Sequence, residues 1–153
     1  MRITDILNIR SIEIGLDVSE KKELLDFMLI LADKSGKVID INDAKKEVFE
    51  REKIMSTGVG KETALPHAKT NSISDTVGAL ALLKSPIDYE TLDDRPVSVI
   101  FLLLGMENNV GIHLRLLSKI SRLLTNDSFR SDLLACKANQ EVIDLFNSFD
   151  END

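Results

Sequence analysis

The chain has 153 residues, 43% of them apolar, and a formal net charge of −7. Apolar residues spread along a chain of this length exclude intrinsic disorder and suit one domain of ordinary size, while the acidic balance, with no Lys/Arg cluster against it, argues against nucleic acid as ligand. Cys136 is the only cysteine, which excludes an intramolecular disulfide and a cysteine-rich zinc site.

The amino-terminal stretch MRITDILNIRSIEIGLDVS alternates charged and apolar residues and lacks the unbroken apolar core of a signal peptide. Asp17 to Lys37 reads as a helix. Asp17 and Glu20 have capping-box spacing, Leu24, Leu25, Met28 and Leu29 form an apolar stripe, and Gly36 supplies the stop. A second helix is expected from about Asn42 to Ile54, with Ala44, Val48 and Phe49 turned inward. TVGALALLKSP from Thr76 and PVSVIFLLLG from Pro96 read as strands buried on both faces, and both are far too short to span a bilayer. The last third is helical: Val110 to Leu124, with Leu117, Ile120 and Leu124 at helical spacing, then Ser128 to Ala135 and Glu141 to Phe146. Helices, buried strands and helices again imply an α/β single-domain sandwich over residues 1–153, a central sheet with helices on both sides. The expectation is a soluble, cytoplasmic protein without direct membrane insertion.

Between the second helix and the first long strand lies MSTGVGKETALPHAKT, Met55 to Thr70. Its glycines and Lys61 invite comparison with a nucleotide-binding P-loop. That motif fails at Met55, where its first glycine belongs, and at Glu62, a carboxylate where a hydroxyl should follow the lysine. A dinucleotide fingerprint fails as well, because Gly58-Val59-Gly60 has Thr63 in place of the third glycine and precedes a β-like segment.

The histidine half of the loop stands better. Pro66 fixes its own backbone angle and biases Leu65 toward an extended conformation, so His67 is expected at the end of a short strand from Thr63 to Pro66. Imidazole is a nucleophile near neutral pH and carries covalent intermediates. The amides of a Gly-x-Gly turn can face an anion such as an arriving phosphoryl group. Residue type alone, however, favours a surface or satisfied core role for a histidine after proline. His113 begins the Val110 helix just past a strand and its loop, where sites gather in layered α/β folds, or it is simply an exposed first-turn residue.

A longer pattern bears on that choice. Arg51-Glu52-Lys53-Ile54-Met55-Ser56-Thr57-Gly58-Val59-Gly60 and Ala64-Leu65-Pro66-His67-Ala68-Lys69 closely resemble the phosphorylation-site signature of the fructose/mannitol/nitrogen-regulatory enzyme IIA family of the bacterial phosphoenolpyruvate-dependent phosphotransferase system. Asp88 to Val97 is similar to that family's D-x-x-x-L-D-x-x-P-V segment, and Gly111-Ile112-His113-Leu114-Arg115-Leu116-Leu117 to its second-histidine helix. The resemblance covers nearly the whole chain, in order. It implies a mixed sheet flanked by helices and one IIA domain over residues 1–153. His67 is then the phosphorylated nucleophile, charged by the carrier HPr, His113 an orienting histidine, and Arg51 a stabiliser of the transferred phosphate. Arginine matches phosphate oxygens bidentately, although an arginine near a helix end more often faces solvent. Ser56, Thr57, Gly58 and Gly60 are the expected phosphate-binding residues, with a simple turn role as the alternative for Ser56 and Thr57.

Lys61-Glu62-Thr63 departs from relatives, which often carry smaller or more neutral residues there. Two functions fit the resemblance: a sugar phosphorelay subunit passing its phosphoryl group to a separate IIB protein, and a nitrogen-type regulator whose phosphorylation state controls partner proteins. Both imply a reversible phosphohistidine with no bound cofactor, and two histidines and a distant cysteine are a thin ligand set for a metal. A third reading, a passive interaction module, is disfavoured by the presence of His67, His113 and Arg51 together.

Overall fold

The computed structural model describes residues 1–150. A single helical turn, α1 (Ile3–Ile6), runs directly into a long strand, β1 (Leu7–Leu16). Helices α2 (Lys21–Asp33) and α3 (Ile41–Ile54) follow, then short strands β2 (Gly58–Gly60), β3 (Thr63–Ala64) and β4 (His67–Thr70). The long strands β5 (Val77–Ile87) and β6 (Val97–Met106) come next, and α4 (Val110–Leu124), α5 (Asp127–Leu134) and α6 (Asn139–Asp150) complete the described chain. None of these helices is long and apolar enough to cross a membrane.

The strands form one sheet in the order β1-β5-β6-β3-β2, with β4 also paired to β6. β1 runs parallel to β5, β5 antiparallel to β6, and β3 and β4 both run parallel to β6. The sheet is therefore mixed and open. Alternate residues of its central strands enter opposite cores. Ala79, Ala81, Ile100, Leu102 and Leu104 pack with α2 and α3, whereas Leu80, Leu82, Val99, Phe101 and Leu103 pack with residues of α4, α5 and α6. Cover on both faces is why these strands read as continuous apolar runs.

Local chemistry sets the helix ends. The Asp17–Glu20 box does not form: Glu20 flanks the first residue of α2, and the Ser19 amide instead donates to Glu23 at 2.9 Å. Asp40 caps α3 by accepting from the amides of Asn42 and Asp43, both at 3.1 Å. On α4 the inward residues are Leu116, Ile120 and Leu124 together with His113, while Leu117 is only half-buried. α6 extends well beyond Glu141–Phe146, because its last turn is tied down. The Asp150 carboxylate accepts from the Ile3 amide at 3.2 Å and pairs with Lys119 at 2.7 Å.

Strand β1 lay outside the sequence-based elements. Its alternation is broken, with Asn8, Ile9 and Arg10 all exposed and shifts in its register with β5, so no clean period of two is visible.

Candidate functional site

His67 is the first residue of β4 rather than the last of a strand beginning at Thr63. Proline has no N–H to donate, so the ladder breaks at Leu65-Pro66 and resumes at His67, in register with Leu103. The Pro66 carbonyl still accepts from the Leu103 amide at 3.0 Å, which anchors the break to β6. The ring of His67 turns back so that Nδ1 lies 2.8 Å from the carbonyl oxygen of Leu65. A carbonyl only accepts, so Nδ1 carries the proton and Nε2 keeps a lone pair. Burial lowers the pKa of His67 below the ordinary histidine value; the Leu65 carbonyl works against this, and the Arg51 charge adds to it. The ring is therefore neutral at physiological pH.

His113 sits in the first turn of α4, behind the Asn109 cap, and is only 4% exposed. Its ring centroid is 5.9 Å from that of His67, with the planes tilted by 50°. The ring lies against β6 at Gly105. A Cβ there would collide with Nδ1 and stand 2.9 Å from Cγ, so the approach requires glycine. Nδ1 is buried without a hydrogen-bond partner. A bare lone pair is the cheaper group to leave there than an N–H, which places the proton on Nε2. Burial pulls the pKa of His113 down to about 4, and the positive charge that His67 takes on when protonated, with that of Lys69, adds to the effect.

Arg51 comes from the end of α3, where its Nη1 donates to the carbonyl of Met55 at 2.8 Å. Arg51, His67 and His113 line one open cleft of about 580 Å³ between α3 and α4 at the β4 edge of the sheet. Lys69 lines it too, two residues after His67 and hence on the same face of β4. Sequence reading missed Lys69 because β4 itself was not anticipated. Glu47, Glu50 and Glu107 add carboxylates to the walls, and Leu114 and Leu117 an apolar side.

The four residues expected to bind phosphate do not line this cleft. Ser56 Oγ donates to the Tyr89 carbonyl at 3.1 Å and accepts from the Gly58 amide at 3.2 Å. The amide and hydroxyl of Thr57 both donate to Glu52. A Cβ at Gly58 would fall 2.6 Å from Thr91 Cγ2, and Gly60, at φ +86°, faces the Asp93 carboxylate. The Gly-x-Gly turn thus packs on the 91–93 segment rather than opening toward an anion. Among the described residues no group of three or more His, Cys, Asp or Glu is placed to hold a metal ion.

The two lowered histidines make stability depend on pH in a defined direction. The unfolded chain protonates its histidines near pH 6.5, while folded His113 resists until about pH 4. Stability is therefore whole above pH 6.5 and falls as pH drops toward 4, with His113 accounting for roughly 3 kcal/mol at most. Urea titrations at about pH 7 and about pH 4 check this: His113→Leu should show a clearly smaller difference between the two than the unaltered protein.

A family model described as "Phosphoenolpyruvate-dependent sugar phosphotransferase system, EIIA 2" matches residues 5–149. The fructose-specific EIIABC component of Bacillus subtilis is 35% identical over 151 residues, and the chain spans 24% of that larger protein. The fructose-specific EIIA component of Haloferax volcanii is also 35% identical, with 95% of this chain and 96% of that protein aligned. Among solved structures, the nitrogen regulatory protein IIA-Ntr of Neisseria meningitidis superposes with a TM-score of 0.88 at 31% identity, covering 94% of this chain and 98% of that one. The IIA mannitol chain of Escherichia coli, solved in complex with phosphorylated IIB, shares the fold with a TM-score of 0.78 at 17% identity, covering 94% of this chain and 99% of that one.

Proposed function

This chain belongs to the EIIA 2 family of the phosphoenolpyruvate-dependent sugar phosphotransferase system, and from that premise we propose that it is a phosphocarrier that takes a phosphoryl group from an HPr-like protein onto Nε2 of His67 and passes it to a IIB partner. The observation that carries this reading is one cleft holding a neutral His67 with its Nε2 lone pair free, a second neutral histidine, and the guanidinium of Arg51. In the transfer, the bond from phosphorus to the donor's nitrogen breaks as the bond from phosphorus to His67 Nε2 forms. The ring takes on positive charge, and the Leu65 carbonyl stabilises it by accepting from Nδ1–H. Arg51 and Lys69 offset the negative charge on the phosphoryl oxygens, and Nε2–H of His113 donates to one of them. Positioning and charge carry such a transfer, so a site built from fixed donors suffices.

The test is intact-protein mass spectrometry after incubation with phosphoenolpyruvate, enzyme I and HPr from the same organism, followed by phosphorus NMR. One acid-labile adduct, assigned to Nε2, supports the proposal; folded protein that takes up no phosphoryl group overturns it. A second reading is favoured by the 31% identity to IIA-Ntr over almost all of both chains: a regulator whose phosphorylation state controls partner proteins. Adding IIB proteins to the phosphorylated chain separates the two, since a relay subunit loses its adduct to a cognate IIB and a regulator keeps it. A role fed from phosphoenolpyruvate belongs in the cytoplasm.

A further inference from the structure

We propose that Glu52, Thr57 and Tyr89 act together as a positioning device for Arg51, an inference that rests on the phosphocarrier reading of the cleft. The α3 helix ends abruptly. Met55 is extended, at φ −164° and ψ 139°, and no glycine closes the last turn in a left-handed conformation. Two consecutive side chains close it instead, pointing about 100° apart around the helix. Arg51 faces the cleft and holds the Met55 carbonyl. Glu52 faces away, into the body of the protein, with only 6% of its side chain exposed.

Four donors converge on the Glu52 carboxylate. Oε2 accepts from the Thr57 amide at 2.9 Å and pairs with Lys21 Nζ at 2.9 Å. Oε1 accepts from the Thr57 hydroxyl and from the Tyr89 hydroxyl at 3.0 Å. An ionised carboxylate has about four lone-pair sites, so this one is saturated and has no alternative arrangement at hand. Burial opposes its charge, but the Thr57 and Lys21 hydrogen bonds outweigh burial and hold its pKa below the ordinary carboxylate value. Tyr89 is fully buried with Lys21 over its ring at 4.4 Å, and burial followed by the Glu52 charge pushes its hydroxyl far above the usual range, leaving it a donor.

The start of α2, the end of α3, the 55–57 turn and the segment after β5 thus meet at one oxygen pair. The carbonyl that orients the Arg51 guanidinium lies two residues from Thr57, whose amide and hydroxyl are both committed to Glu52. Releasing Thr57 frees the Met55 carbonyl to move and takes the guanidinium with it. None of the three residues lines the cleft. The Glu52 charge also reaches His67 directly and raises its pKa, whereas the uncharged Thr57 and Tyr89 act on transfer through Arg51. This also accounts for Thr57, which the sequence motif had marked for phosphate.

A double-mutant cycle tests the device. Single-turnover phosphoryl uptake from phosphorylated HPr is measured for the unaltered protein, Thr57→Val, Thr57→Ser, Arg51→Ala and Arg51→Ala/Thr57→Val, with urea stability for each. The expected result is a roughly 10- to 100-fold fall in maximal rate for Thr57→Val with little change in KM, rescue by Thr57→Ser, and no further fall when Thr57→Val is added to Arg51→Ala. Tyr89→Phe, which removes a single hydroxyl, should repeat the pattern at smaller size and serves if Thr57→Val does not fold. Equal slowing by Thr57→Val with and without Arg51, or an unaltered rate in both Thr57→Val and Tyr89→Phe, overturns the inference and leaves the phosphocarrier reading standing. Failure of the unaltered protein to take up phosphoryl groups overturns both.

Discussion

His67→Ala is expected to abolish phosphoryl uptake altogether while leaving the fold in place. The first half follows from the proposed chemistry. Among the described residues no other nitrogen lone pair faces the cleft for attack: the other ring there is buried, packed on Gly105, with its Nδ1 sealed against β6. The second half follows from the surroundings. His67 is half-buried at the β4 edge and its ring makes one hydrogen bond, to a carbonyl that water can satisfy once the cleft is opened. The stability change should stay within about 1 kcal/mol. Mass spectrometry reads the first effect and thermal melting the second. An adduct that survives in His67→Ala and disappears in His113→Ala would move the nucleophile to α4 and invert the roles assigned to the two rings.

Gly105→Ala should slow transfer about 100-fold and destabilise the protein by about 1–3 kcal/mol, although residue 105 touches no reacting atom. The added Cβ would collide with Nδ1 of His113 and lie 2.9 Å and 3.1 Å from Cγ and Cε1. Those atoms belong to a rigid ring on the first turn of α4, and the other side of the collision is the β6 backbone, so neither yields easily. The ring must leave its rotamer or the start of α4 must lift away from the sheet. Either movement withdraws Nε2–H from the phosphoryl position. Pairing Gly105→Ala with His113→Ala removes the collision. The double variant should recover most of the lost stability in urea and none of the lost rate. Recovery of both would mean that His113 has no part in the transfer.

Much of this architecture could be read from residue order. The two long strands announce themselves as apolar runs, since both faces of β5 and β6 are covered, and the stripes of α2, α3 and α4 follow from their 3.6-residue spacing. The failure of the P-loop pattern at Met55 and Glu62 and the bias that Pro66 imposes are local facts, as is the motif that marks His67, His113 and Arg51. Those three do meet in one cleft.

Other parts depended on segments far apart in the chain. Thr57 has donors suited to phosphate, yet they are taken by Glu52, and Tyr89 from beyond β5 shares the same carboxylate. Gly58 looks like an anion-facing glycine, but Thr91 lies where its Cβ would be. Lys69 enters the site only because β4 pairs with β6 in a register that puts it on the His67 face. The proton on His67 is assigned by the position of one carbonyl, and the neutrality of His113 by its burial against Gly105. By itself the sequence determined which faces of helices and strands are buried and which residue types stand ready for chemistry, because burial patterns and backbone restrictions act over a few neighbouring residues. Tertiary structure alone decided which of those groups point into the cleft and in what protonation state, because hydrogen bonding, desolvation and close packing are set by whichever distant segment the fold brings alongside.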